Sequence, residues 1–266
     1  MEKTARQSRR WKRWFFSAIG ALMGVILIAT ALQKELRDTV LYAVAPSHAR
    51  NLNFVHFKKG QVDVYVLGTI HGRHLSIDDF SLNHLRAVLS HLRPDSVLLE
   101  MRPEEIAKGR WGDGPVEMPF VALTAKAMGI RIDGIDWWNV PGSGPWRNDD
   151  ARDDHIFQNL IAGLPVHGSV LVLIGYSHVP EQAERLARHG FEECEFPPKA
   201  KTKLFVLPTE PFHFPAGMKR AIQQRIEDSE AEAAKNPAAG EKYRAIAANR
   251  RAYLVRIEQD GEFPEP

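Results

Sequence analysis

Four polar side chains stand where buried, apolar strands of the sequence come to an end. They are two imidazoles and two carboxylates: His71, Glu100, Asp136 and His178. The two histidines share one spacing, since each closes a Gly-x-x-His motif, GTIH and GYSH. Glu100 follows two leucines, and an unpaired carboxylate buried in packing is costly, which favours a chemical role. Two imidazoles and a carboxylate that meet in one place can bind a metal or activate water.

Two kinds of chemistry fit this set, and the residues leave both open. In the first, His71, Glu100 and His178 bind a divalent metal of unknown identity and leave positions for water and substrate. The metal would lower the pKa of its bound water and polarise a carbonyl group. In the second, one histidine is the general base for water, Glu100 orients that water, and the other histidine stabilises developing charge. Both make these three residues the predicted catalytic set.

Arg152 and Asp136 are the predicted substrate-binding residues. Arg152 lies at the start of a predicted helix, in ARDDHIFQNL, where its guanidinium could bind a substrate carboxylate or an oxyanion. Asp136 follows a strand and either faces the same rim or caps the next turn. Gly175 is expected to let the backbone approach a ligand closely. The other histidines, His74 among them, are expected to be surface or capping residues.

The elements that must position these residues alternate between strand and helix. Strands are predicted over residues 62–70, 95–101, 131–138 and 168–175, with a more polar edge strand over 191–196. Helices are predicted over residues 76–93, with Ser76 as cap, and over 121–128, 151–164 and 180–189. This alternation implies an α/β fold, a mostly parallel sheet with helices on both faces, over residues 57–210. Ligands of such sheets bind beyond the carboxyl ends of the strands, so the site residues are expected to share one rim.

The N-terminal segment is typical of a membrane anchor. Basic residues crowd the first 13 positions, and an uncharged, mostly apolar run follows over residues 14–32. Its length is near the roughly 20 residues that cross a bilayer as a helix. Residues 1–33 are therefore predicted to form a cytoplasmic tail and transmembrane helix in contact with lipid, with the main domain periplasmic or extracellular. A cleaved signal peptide, with Ala29-Thr30-Ala31 as the cleavage site, is the alternative.

Composition excludes some classes of protein and bounds the rest of the chain. The formal net charge is +2, with no basic stripe in the main domain, which argues against nucleic acid as a partner. The single cysteine, Cys194, excludes a disulfide within the chain and disfavours a cysteine-based zinc site. Residues 34–56 are predicted to be a connector. Residues 211–266 are predicted to be a peripheral helical extension, broken into two helices at Pro237 and Gly240.

The strings VYVLGTIHG, LLE, ARDD and VLVLIGYSH, taken together, resemble the TraB/TIKI superfamily over residues 60–192. ChaN-like haem-binding proteins and erythromycin esterases look like more distant relatives. By this resemblance, His71, Glu100 and His178 take the family's site positions, and Arg152 matches the arginine of its Glu-Arg-Asp motif. The chain departs from the pattern at Ala151, where the family has glutamate, and at Gly72, where a small β-branched residue is typical.

The resemblance implies a membrane-tethered hydrolase. It would act on a peptide or ester bond outside the cytoplasm, with water activated by a metal or by a histidine. The alternative is a non-catalytic module that sequesters a peptide signal, haem or a metal ion. Family membership implies a fold more firmly than a reaction.

Overall fold

The computed structural model describes residues 54–137, 150–196 and 202–263 of the chain. All of them belong to one compact unit, Ala49–Pro266. The predicted transmembrane segment, residues 1–33, lies outside the described residues, as does most of the predicted connector. A search of the described residues for a helix long and apolar enough to span a bilayer finds none.

Six strands form a single sheet in the described part of the chain. They are β1 Phe54–Lys59, β2 Val62–Thr69, β3 Ser96–Leu99, β4 Arg131–Gly134, β5 Gly168–Gly175 and β6 Glu192–Cys194. The order across the sheet is β4-β3-β5-β2-β1-β6. The run from β4 to β2 is parallel, whereas β1 is antiparallel to both β2 and β6. The predicted α/β fold with a mostly parallel sheet is confirmed, and β6 lies at an edge as expected.

Strand β1 was missed by the sequence analysis, which placed residues 54–56 in the connector. The strand turns back on β2 through Gly60, whose φ of +60° suits glycine. Only Phe54 and Phe57 are fully buried along it, so its apolar pattern is too short to predict a strand. It matters for the fold because it separates β6 from the parallel strands.

Seven α-helices whose two ends both lie in the described ranges accompany the sheet. They are α1 Leu82–Leu92, α2 Pro103–Ala107, α3 Glu117–Ala127, α4 Asp150–Gly163, α5 Val179–Arg188, α6 Met218–Lys235 and α7 Gly240–Asp260. Helix α2 was not predicted. The predicted start of α1 was wrong: its N-cap is Ser81, whose N–H donates to His84 Nδ1 at 3.1 Å. Ser76 lies between two short 3-10 turns, His71–Leu75 and Asp78–Phe80.

Both faces of the parallel strands are covered. On one face, valines and isoleucine of β2 and β5 form a core with Ile156 and Leu160 of α4 and Leu186 of α5. On the opposite face, alternate residues such as Leu67 and Leu173 are equally buried. Removing this apolar surface from water drives folding at about 25 cal/mol per Å². The carboxyl ends of the strands are left as the place where a ligand can reach the sheet.

Helices α6 and α7 pack along each other, and α6 also contacts α3. The predicted break is confirmed, since a 3-10 turn at Pro237–Ala239 separates the two helices. Both helices are attached to the domain by buried apolar side chains. Ile222 of α6 and Ile246 and Ile257 of α7 are buried, because each helix presents one apolar stripe to the domain.

Candidate functional site

The guanidinium of Arg152 is the meeting point of the strand ends. Its Nη2 donates to Glu100 Oε1 at 2.7 Å, and its Nε donates to Asp136 Oδ1 at 2.9 Å. Its Nη1 lies 3.3 Å from His178 Nε2. Because α4 starts at the carboxyl edge of the sheet, its third residue, Arg152, reaches the residues that follow β3, β4 and β5 at once. The structure therefore brings four of the five predicted site residues into direct contact.

Glu100 joins two strands. Its Oε2 accepts a hydrogen bond from the backbone N–H of Gly175 at 2.5 Å. Burial would raise the pKa of Glu100, but His178 and the guanidinium of Arg152 outweigh it, so the pKa of the carboxyl group is lowered. A Cβ on Gly175 would lie 3.2 Å from both Glu100 Oε2 and His71 Nε2. Glycine is therefore needed at this position because a side chain would crowd Glu100 and His71. Its backbone conformation does not require glycine, since φ is −54°.

His178 contacts the Nη1 end of the Arg152 guanidinium. A guanidinium can only donate, so His178 Nε2 accepts in this contact, and the ring proton is on Nδ1. Nδ1 donates to Asp153 Oδ1 at 2.7 Å, and Gln182 Nε2 donates to the same oxygen at 3.0 Å. The side chain of His178 is only 3% exposed. It is not among the described residues that line the cavity, so the geometry gives it a positioning role.

His71 is the accessible histidine of the pair. Its side chain is 37% exposed, and its backbone is left-handed, with φ +54°. Such a conformation is strained for a residue with a Cβ and is often found at functional sites. Its Nδ1 lies 2.9 Å from Glu117 Oε1, an oxygen that also accepts a hydrogen bond from Thr69 Oγ1 at 2.7 Å.

The His71–Glu117 pair shifts both pKa values. Burial alone would lower the pKa of His71, but the hydrogen bond and negative charge of Glu117 raise it to about 9. Burial would raise the pKa of Glu117, but the hydrogen bond and charge of His71 lower it to about 2. The two groups are therefore an ion pair at neutral pH.

His74 braces the turn that carries His71. Its Nε2 accepts from the backbone N–H of Ile70 at 3.1 Å, and its Nδ1 donates to the carbonyl of Phe80 at 2.7 Å. Burial lowers the pKa of His74, which keeps the ring neutral and able to accept. The expectation of a surface residue was wrong, although the ring does bond to backbone groups as a cap would.

A cavity of about 250 Å³ opens between the strand ends and the C-terminal helices. From the sheet side its walls include His71, Glu100, Asp136 and Arg152; from α7 they include Asn249, Arg250 and Tyr253. The structure explains why glycine stands at position 72, where the TraB/TIKI pattern has a small β-branched residue. A Cβ there would lie 2.5 Å from Tyr253 Oη, so glycine leaves room for the tyrosine.

Comparisons of the chain with protein-family models, curated proteins and solved structures found no match. The resemblance to the TraB/TIKI superfamily therefore stays a prediction from the motifs.

The donor set does not fit a divalent metal as it is arranged. Within the described ranges, no group of three or more His, Cys, Asp or Glu residues is placed to hold one. The guanidinium of Arg152 occupies the point where Glu100, Asp136 and His178 meet. An ion bound to His71, Glu100 and His178 would have to displace this cation. Metal binding by the chain stays a prediction.

Sequence reasoning missed the partners of both histidines. Asp153 had a signal, because ARDD places a second carboxylate directly beside Arg152. Glu117 had a weaker one, as an acidic residue at the start of an otherwise apolar helix, EMPFVALTA. Arg250 and Tyr253 had none, since they come from a charged helix far along the chain.

Proposed function

We propose that the cavity hydrolyses an ester or peptide bond, with His71 as the general base for water. The observation that carries the proposal is the His71–Glu117 pair, whose imidazole is partly exposed at a cavity that the guanidinium of Arg152 also lines. A base oriented by a carboxylate and a nearby fixed cation are the parts that acyl transfer to water requires. The likeness of the two Gly-x-x-His motifs to those of TraB/TIKI proteins supports the same reaction.

The reaction uses the two ring nitrogens of His71 differently. Glu117 holds the proton of Nδ1, which leaves Nε2 to take a proton from water as its oxygen attacks the substrate carbonyl. The guanidinium of Arg152 stabilises the negative charge that develops on the carbonyl oxygen. The imidazolium then returns its proton to the leaving group as the bond to carbon breaks. Glu100 and Asp136 fix the guanidinium on one side and His178 on the other.

The raised pKa of His71 determines the pH dependence. With a pKa of about 9, roughly 1% of the ring is free base at pH 7. We therefore expect kcat/KM to increase with pH up to about 9, since kcat/KM reports the free enzyme.

The test is turnover of p-nitrophenyl esters and short peptides by the full chain and by His71→Ala. The substitution should lower kcat/KM by about 10²- to 10⁴-fold, the usual contribution of a general base. His91→Ala is the matched control, because the hydrogen bond that His91 makes to the described part of the chain goes to the carbonyl of Ala87 in its own helix. Equal activity of His71→Ala and the wild-type chain would rule out the proposed base.

A binding module without turnover is the second candidate, favoured by the same raised pKa. At neutral pH the imidazolium of His71 can hold an anionic ligand without removing a proton. This function predicts stoichiometric capture of ligand and no product. If the ligand is haem, titration with haem should give a Soret band. If the ligand is a metal ion, the purified chain should contain metal, and the chain without His71 should contain less.

We also propose that the hydrolase is tethered to a membrane. The basic N-terminus and the apolar run over residues 14–32 support it, with the N-terminus cytoplasmic and the main domain periplasmic or extracellular. The chain should then pellet with membranes and resist alkaline carbonate extraction. Quantitative release by carbonate would contradict the tether.

A further inference from the structure

Helix α7 presents one face to the cavity. Ile246, Asn249, Arg250 and Tyr253 all line it, and their spacing of three, four and seven residues places them on one side of a helix. The proposed hydrolysis uses none of them. Their chemistry is a guanidinium, an amide and a hydroxyl, beside one apolar side chain.

Arg250 is buried, and no carboxylate of the described residues lies within ion-pair distance of it, although the charges of Glu117 and Asp113 still act on it. Only 8% of the residue is exposed. One Nη2 hydrogen bond goes to the carbonyl of Gly114, the guanidinium lies 5.2 Å from the ring centre of Tyr253, and Nε is buried with no hydrogen-bond partner. The two other arginines of the cavity differ, since Arg152 contacts two carboxylates and Arg225 lies 3.7 Å from Asp113.

An uncompensated buried cation is costly, and an anion beside it offsets that cost. Burial lowers the pKa of Arg250 to about 10, so the group is still charged at neutral pH. Burial raises the pKa of Tyr253, which keeps its hydroxyl protonated and able to donate. Gly72 leaves the space in which that hydroxyl lies.

We propose that Arg250, Tyr253 and Asn249 form a subsite for the carboxylate of a small substrate whose scissile bond lies toward His71. The proposal rests on the proposed function and names its substrate class: acids, or peptides that enter by a terminal carboxylate. One unpaired guanidinium with neutral donors matches one negative charge and can bind a carboxylate through two parallel hydrogen bonds. A phosphate group carries about −1.5 to −2 at pH 7 and would require a second cation.

The size of the cavity agrees with this class. Its volume of about 250 Å³ is below the usual range of roughly 300–1,000 Å³ for small-molecule sites. It therefore suits a small acid or the last residue of a longer chain, with the carboxylate held at α7 and the bond to be cleaved at the opposite wall.

The test is calorimetric titration of the full chain with N-benzoylglycine and with its uncharged amide, N-benzoylglycinamide. The acid should bind about 10-fold or more tightly than the amide, because a hydrogen bond to a charged group contributes that much. Arg250→Met should abolish the preference. Arg251→Met is the matched control: Arg251 follows Arg250 in the same helical turn but is exposed and paired with Glu230, so the preference should persist.

Two further measurements distinguish loss of the subsite from loss of the fold. Arg250→Met should unfold at an equal or higher temperature than wild type, since it removes a buried unpaired charge. Tyr253→Phe, which retains the ring, should weaken the acid and leave the amide unchanged. Equal binding of acid and amide, a preference that survives Arg250→Met, or tighter binding of inorganic phosphate than of the acid would each overturn the subsite.

The same titration separates this proposal from the hydrolase. In His71→Ala, which lacks the base, the preference for the acid should persist. Arg250-dependent binding with no turnover of any ester or peptide would refute hydrolysis and retain the subsite. Turnover that shows no preference for carboxylate-bearing substrates would refute the subsite alone.

Discussion

The two Gly-x-x-His motifs have the same spacing and follow neighbouring parallel strands, yet their histidines have different surroundings. His71, after β2, is half-exposed at the cavity and paired with Glu117. His178, after β5, is buried between Asp153 and the guanidinium of Arg152. One motif therefore supplies a group that can exchange a proton with a ligand. The other supplies a group that positions a cation.

The backbone that follows each strand explains the difference. After β5 the chain passes through the 3-10 turn Tyr176–His178 directly into α5, with His178 at φ −82°. After β2 the chain enters its turn through His71 at φ +54°, which directs the imidazole toward the cavity. A shared motif thus predicts where two histidines lie, and the local backbone decides what each can do.

The largest expected effect comes from removing Arg152, which joins the His178 side of the site to Glu100 and Asp136. Arg152→Met leaves two buried carboxylates without their cation. We expect the free energy of unfolding to fall by about 3–5 kcal/mol, measured by urea denaturation. Arg188→Met, which breaks an exposed pair with Glu184, should change it by less than about 1 kcal/mol. A similar small change in both variants would mean that Arg152 does not organise the site.

Replacing the histidine of each motif by glutamine should distinguish the base from the positioning residue by the loss of kcat/KM. His178→Gln retains an acceptor for Arg152, so kcat/KM should fall by only about 10-fold and keep its pH profile. His71→Gln can still bond to Glu117 but cannot take a proton, so kcat/KM should fall by about 10²- to 10⁴-fold. If both variants lost kcat/KM equally and both kept the pH profile of the wild type, the two histidines would not have different roles.

Glu117→Gln should shift the pH profile without changing the shape of the site. The substitution removes the charge that raises the pKa of His71 and leaves the burial that lowers it. The rising limb of kcat/KM should therefore move from about 9 to 6.5 or below. Asp153→Asn is the matching change beside His178 and should leave the position of that limb unchanged. A limb that stays near 9 in Glu117→Gln would contradict the pairing.

The smallest expected effect is on stability as a function of pH. The raised pKa of His71 contributes stability fully below its ordinary value of 6.5, and this is lost as pH rises to about 9. The lowered pKa of Glu117 contributes stability above 4.5, and this is lost as pH falls to about 2. Wild type should thus exceed His71→Gln in free energy of unfolding most between pH 4.5 and 6.5. A difference independent of pH would contradict the ion pair.

The sequence predicted the parallel strands and the side of the sheet on which the site lies. Apolar runs are direct signals of buried strands, and polar residues at their ends stand out against them. The sequence therefore predicts that Glu100, Asp136 and His178 share one rim, and their contacts with Arg152 are added by the structure. The short strand β1 and the cap at Ser81 were missed, because their patterns are weak and depend on neighbours in space.

The roles within the site could not be predicted from the sequence. The positive φ of His71 depends on its turn, which is held by His74 and the carbonyl of Phe80. The pairing with Glu117 joins residues 46 positions apart, and Arg250 reaches Gly114 across 136 positions. Contacts over such separations depend on how helices pack and leave no local pattern in the chain.

The imidazole pKa of His71 tests the central claim most directly, and it requires no substrate. NMR titration of the ring protons, assigned by comparison with His71→Gln, would give this value in the folded chain. The ion pair with Glu117 predicts a pKa of about 9. A ring that titrates at or below 6.5 would show that Glu117 does not orient and charge His71, and would contradict the proposed base.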